Sequence, residues 1–112
     1  MNSKEAVKSL TALAHDTRFA MFRFLMVQGP SGASAGTLSE HLNVAPSTLS
    51  FHLRELERGN LLRSWRVGRQ LFYAAEFETM RRLLAVMVED CCHGRPEICG
   101  DLVQLKSFCN EE

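Results

Sequence analysis

The stretch V-A-P-S-T-L-S-F-H-L-R-E-L-E-R-G-N-L-L, Val44 to Leu62, decides the fold. Pro46 and Ser47 read as a helix start, because proline loses nothing where the N–H has no partner and a hydroxyl can cap free amides. Leu49, His52, Leu53 and Leu56 fall at i, i+3, i+4 and i+7, so they form one inward stripe. Ser47, Thr48, Ser50, Phe51, Arg54 and Arg58 lie mostly off that stripe. Gly59-Asn60 then ends the helix with two residues that tolerate left-handed φ. By itself such a helix is either a solvated surface helix or one that offers a polar, cationic face to a DNA groove. Its surroundings weigh between the two.

Upstream, three more helices are expected. Residues 3–14 carry an apolar face of Ala6, Val7, Leu10, Leu13 and Ala14, with Ser3 as cap. So few large side chains gain little by folding alone, so this helix packs on the core or on a second subunit. Asp16 caps a helix from Thr17 to Val27. Phe19, Met21, Phe22, Phe24, Leu25 and Met26 cover much of its circumference, the mark of a central helix. Residues 28–32 (Q-G-P-S-G) are a loop by composition. Residues 34–42 form a short helix with Ala35, Leu38 and Leu42 inward. Residues 43–46 join it to the quoted helix, a spacing that fits a helix-turn-helix.

Downstream the period changes from 3.6 to 2. Residues 62–66 (L-R-S-W-R) and 70–74 (Q-L-F-Y-A) read as two strands around a V-G-R hairpin loop at 67–69. This is a β-wing with Arg66 and Arg69 near its tip, where a wing touches phosphates or enters a minor groove. Residues 76–91 return to helix, with Met80, Leu83, Leu84, Met87 and Val88 as a stripe. The first and last helices then have apolar faces and no remaining core to cover. A two-fold homodimer through both would set two reading helices on a pseudo-palindromic site.

Net charge is zero over 112 residues, with 13 basic and 13 acidic side chains. Its distribution is uneven. Residues 46–73 hold five Arg (54, 58, 63, 66, 69) and two Glu, while residues 74–112 hold four basic and eight acidic side chains. The surplus falls on the suspected reading helix and the wing, the footprint a DNA-binding domain needs. No apolar run approaches membrane-spanning length, and no secretory signal is visible. A cytoplasmic location is expected, and with it four reduced cysteines suited to metal binding. No nucleophile–base pair or phosphate-binding glycine loop is visible, so an enzyme is not expected.

L-A-H-D-T-R-F at 13–19, S-F-H-L-R-E-L-E-R-G-N-L-L at 50–62 and the G-R turn at 68–69 resemble the ArsR/SmtB family over roughly residues 5–92. These are small dimeric bacterial repressors that leave operator DNA when a metal or metalloid binds. The resemblance implies a mainly α fold with a small β-hairpin, a winged helix-turn-helix dimerised through its N- and C-terminal helices. Residues 1–92 would form the DNA-binding and dimerisation domain, and residues 93–112 a tail. DNA contacts would come from Ser47, Thr48, Ser50, Phe51, His52, Arg54, Arg66 and Arg69. Two sensing sites known in the family are missing. The helix T-L-S-E-H-L has no Cys-x-Cys pair, and residues 77–90 contain no His.

The sulfur chemistry lies elsewhere, in D-C-C-H-G-R-P-E-I-C-G. Cys91 and Cys92 are adjacent, and Gly94 and Pro96 can turn the chain back to bring Cys99 near. Three thiolates suit a soft ion with three bonding positions, such as As(III) or Sb(III), whereas zinc prefers four ligands. The pattern C-C-x₆-C also resembles the site of arsenic-responsive family members whose ligands lie beyond the last helix. Cys91, Cys92 and Cys99 are therefore expected to bind As(III) or Sb(III) as inducer, with no organic cofactor. The alternatives are a Zn(II) or Cd(II) site completed by His93 or Cys109, a thiol-redox switch, and an arsenic carrier that binds no DNA.

Overall fold

The computed structural model describes residues 1–92, the backbone alone for 89–92. Its elements in order are α1 (Ser3–Leu13), α2 (Asp16–Gln28), a 3₁₀ turn (Gly29–Ser31), β1 (Ala33–Ser34), α3 (Ala35–Leu42), α4 (Pro46–Arg58), β2 (Leu62–Val67), β3 (Gln70–Ala75) and α5 (Phe77–Cys92). Helices dominate, and the three strands form one antiparallel sheet in the order β1-β3-β2.

The quoted stretch folds as its periodicity requires. The buried residues of α4 are Leu49, His52, Leu53 and Leu56. The three leucines join Met21, Phe22 and Leu25 of α2, Leu38 of α3 and Leu61 in one core. Burying each leucine contributes roughly 1.5–3 kcal/mol, which fixes the rotation of α4 and so the direction of its outer face.

Both helices of the α3–α4 pair end the same way. Asn43 takes φ 54° and Asn60 takes φ 61°. After α3, the Asn43 and Val44 amides donate to the Glu40 and Ser39 carbonyls. After α4, the Asn60 and Leu61 amides donate to the Glu57 and Leu56 carbonyls. These are paired Schellman closures, with the asparagine as the left-handed residue. Gly59 itself has φ −82°, so its glycine identity has another cause. A β-carbon there would come within 2.6 Å of the Ala12 β-carbon.

That close approach explains α1. Its buried residues are Ala6, Ser9 and Ala12, small side chains that let the two backbones meet, and the Ser9 hydroxyl donates to the Gly59 carbonyl at 2.8 Å. The expected apolar face is therefore rotated: Val7 and Leu10 are 59% and 38% exposed. The caps also shift by one residue. Asn2, not Ser3, caps α1 in a box with Glu5, and His15, not Asp16, caps α2 through the Thr17 amide. The cap position of α4 is Ala45, which has no side-chain bond to give, so Pro46 alone marks its start.

The wing is longer than the two strand runs suggest. Val67 pairs with Gln70, leaving only Gly68 and Arg69 in the turn. Gly68 carries φ 62°, the positive value that a tight hairpin requires at its first central position. The two-residue strand β1 was not expected at all, being too short to show a period. α2 is less enclosed than its composition implies: Phe19 is 49% and Val27 83% exposed.

Candidate nucleic-acid interface

The outer face of α4 is open to solvent. Ser47, Thr48, Ser50, Phe51 and Arg54 are all exposed, as are Arg66 and Arg69 on the wing. Seven of the eight residues expected to meet DNA thus lie on the surface. His52 does not. It is 6% exposed and belongs to the core stripe, so its ring faces the α1–α2 corner and leaves the outer face to its neighbours. Its Nδ1 accepts the Arg18 Nε–H at 3.2 Å. Burial, and then the proximity of His15 and Arg18, hold its pKa below the usual imidazole value.

The wing is braced against α4 rather than free. The Ser64 hydroxyl donates to a Glu57 carboxylate oxygen at 2.8 Å. In the register of the sheet Ser64 lies opposite Tyr73 and Arg66 opposite Leu71. Side chains alternate across a strand, so Ser64 and Arg66 share the face that carries Tyr73. Burial raises the Tyr73 pKa, assisted by Glu57 and opposed by Arg54 and Arg66. All three charges therefore act on one phenol. Arg66 and Arg69 also line a cleft with Ser34, Ala35 and Gly36 at the first turn of α3.

On the opposite sheet face Arg63 has a different task. Its guanidinium donates to the Pro30 carbonyl at 3.0 Å and lies 4.8 Å from the centre of the Trp65 ring. Trp65 stacks in turn on Phe72. This arginine fastens the base of the wing to the turn after α2. Sequence patterning counted it only as charge, because its partner is 33 residues away.

Two further residues at this interface lie in the stretch L-A-H-D-T-R-F, whose resemblance to the family assigns neither of them a partner. Arg18 donates to His52 and, through Nη1, to the Ala12 carbonyl at 3.1 Å. His15 lies with its ring centre 4.5 Å from that of His52. They meet α4 across more than 30 residues of chain, and no local period reports such a contact.

The arrangement can grip a polyanion. A helix with small hydrogen-bonding side chains and an arginine can enter a major groove, while wing arginines reach the flanking phosphates. Among the described residues no group of three or more His, Cys, Asp or Glu is placed to hold a metal ion. The backbone of Cys91 and Cys92 closes α5. Their side chains, with Cys99, His93 and Cys109, lie outside the described residues. No described helix is long and apolar enough to cross a membrane.

Comparison with known proteins gives the same picture of the fold. Residues 13–64 match the family described as a helix-turn-helix domain. The chain is 38% identical over 71 residues to the uncharacterized HTH-type transcriptional regulator MJ1398 of Methanocaldococcus jannaschii, a match covering 63% of this chain and 18% of that protein. The chain thus spans under a fifth of that relative's length. The ArsR-like transcriptional regulator from Rhodococcus sp. RHA1 superposes with a TM-score of 0.69 at 23% identity, covering 97% of this chain and 96% of that one. The homodimeric winged helix-turn-helix DNA-binding domain of Mb0332 from Mycobacterium bovis, a possible ArsR-family regulator, gives 0.64 at 22% identity, covering 80% and 82%. The fold is a winged helix-turn-helix.

Proposed function

We propose that this chain is a DNA-binding transcriptional regulator of the ArsR type, acting as a homodimeric repressor. One observation carries the reading. The core stripe of α4 turns Ser47, Thr48, Ser50, Phe51 and Arg54 outward beside the braced wing arginines Arg66 and Arg69. The helix-turn-helix match and the likeness to ArsR-type regulators support it. Val7 and Leu10 on α1 and Met87 on α5, all exposed, offer the apolar surface for a second copy, and the similar Mb0332 domain is homodimeric.

The finer part of the proposal is the inducer. Cys91, Cys92 and Cys99 bind As(III) or Sb(III) as thiolates, releasing protons. The support is chemical: three soft donors near the end of α5, and no histidine on that helix to favour zinc. Inducer binding lowers DNA affinity, and by linkage DNA lowers inducer affinity by the same factor.

The test is an anisotropy titration with a labelled duplex selected by the protein from a random-sequence pool. Arsenite should release the duplex, and Cys99→Ser should abolish release while leaving DNA affinity intact. An unselective, salt-insensitive interaction with DNA would remove the regulator reading. Tight DNA binding that ignores arsenite would remove only the inducer, and release by peroxide or Zn(II) instead would name its replacement.

A further inference from the structure

Two imidazoles meet where the corner between α1 and α2 packs on α4. Each offers its Nδ1 as a hydrogen-bond acceptor. His15 Nδ1 accepts the Thr17 amide at 3.1 Å and so caps α2. His52 Nδ1 accepts Arg18 Nε–H at 3.2 Å. A ring nitrogen that accepts carries no proton, and an imidazolium has two donors and no acceptor. Both bonds therefore exist only while the rings are neutral.

Arg18 gathers the rest of the corner. Nη1 donates to the carbonyl of Ala12, near the C-terminal end of α1. The guanidinium carbon lies 5.9 Å from the centre of the Phe51 ring, and Phe51 is 47% exposed on the reading face. One fork thus ties α1, α2 and α4 together beside a side chain that faces the groove. Its hydrogen bond to α4 is accepted by the lone pair of His52.

We propose that Arg18 is a positioning residue for the reading helix, and that protonation of His52 releases it and weakens DNA binding. This rests on the DNA-binding reading above.

The charges around the pair offer little compensation for added protons. From α2 come Arg18 and the exposed Asp16. Lys8 of α1, with Glu55 and Arg58 of α4, shares a cleft with Arg18. Glu55 is 3.3 Å from Arg58 and already paired. Among the described residues no carboxylate bonds either ring. Protonation of His52 would set an imidazolium against the Arg18 guanidinium and turn the acceptor of that bond into a donor. Burial and these neighbours already resist protonation of His52, so the release is an acid response and is absent at neutral pH.

The sign separates this device from the ordinary effect of acid. Protonating exposed histidines adds positive charge and strengthens the attraction to phosphates. Release of Arg18 predicts the reverse. The variants His15→Asn and His52→Asn make the test specific. Asparagine offers an oxygen acceptor near the place of Nδ1, does not titrate, and is a good N-cap.

The experiment measures affinity for the selected duplex at about pH 7.5 and about pH 5.5, at constant ionic strength. The wild-type chain should lose about tenfold or more, within the usual range of coupling between sites, and the double variant less than about twofold. Unchanged or tighter wild-type binding in acid overturns the proposal, as does an equal loss in the double variant. Imidazole and guanidinium NMR of the DNA-free chain provides a reading independent of DNA and of the variants. The Arg18 Nε–H resonance should shift and lose protection together with the protonation of His52, and an Nε–H indifferent to that step overturns the proposal. Failure of the wild-type chain to bind any duplex at about pH 7.5 would instead strike the regulator reading, and the NMR titration would still decide on the corner.

Discussion

Ala12 and Gly59 stand so close that a single β-carbon on the glycine would lie 2.6 Å from the alanine methyl. Beside them, Ser9 bonds the Gly59 carbonyl. The end of the reading helix is thus seated directly on α1, with only the Ala12 methyl and the Ser9 hydroxyl between.

Gly59→Ala should push α1 away from α4. Overpacking of this kind costs about 1–3 kcal/mol, read as a lower urea midpoint. Ser9→Ala leaves a buried carbonyl without its donor and should cost about 1–3 kcal/mol. A Gly59→Ala protein as stable as wild type would mean that the helices separate freely, against the contact described.

The arginines of the interface should divide by salt dependence. Arg66→Ala and Arg69→Ala should weaken binding to all duplexes alike, each reducing the slope of log affinity against log salt by about 1. Arg54→Ala should cost about 1–3 kcal/mol and relax sequence preference at one position. Arg63→Ala should chiefly lower stability, because this side chain holds Pro30 and Trp65. Equal salt slopes for Arg66→Ala and wild type would take the wing out of the interface.

Acid should destabilise the chain through His52. Its proton affinity is lowered in the folded state relative to the ordinary value of 6.5, so below that value the unfolded chain binds more protons. Stability then rises with pH through this window. It is fully present above about 6.5 and is lost as pH falls toward the folded value. Urea unfolding at about pH 7.5 and about pH 5.5, compared between wild type and His52→Asn, reads this difference; the variant should show the smaller acid loss.

Val7→Glu should break the proposed pairing of two copies through α1. Sedimentation should move from dimer to monomer. Affinity for a two-half-site duplex should drop by on the order of 10²-fold, the gain that linking two modules supplies. Since Val7 is 59% exposed in the single chain, monomer stability should change little.

The reading helix was legible because its signal is local. Leu49, His52, Leu53 and Leu56 report their own burial through spacing alone. The rotation of α1 was not, because Val7 and Leu10 match a helical period as well as Ala6 and Ala12 do. What selects the inner face is the need for small residues opposite Gly59, a fact about another helix. The caps failed for a similar reason. Ser3 and Asp16 are good cap types, but Asn2 and His15 stand one step earlier and reach the free amides first. The spacing puts His52 on the stripe, where it is buried, while the family resemblance adds it to the DNA face. The exposed neighbours on either side, Phe51 and Arg54, needed no knowledge beyond the helical period.

Ser34 serves two elements at once. As the last residue of β1 it pairs opposite Phe72 of the wing, and as the cap of α3 it accepts the Thr37 amide. Just before it, Gly32 lies so near the Tyr73 carbonyl that any β-carbon would collide with it at 2.1 Å. No slack segment separates the wing from the first helix of the pair. Each protomer therefore carries its wing and its helix pair on one continuous seam, with the Ser64–Glu57 bond as a second stitch from the wing to the reading helix. A shift at one side of that seam is passed to the other, as a tug on one leaf of a hinge moves the pin they share.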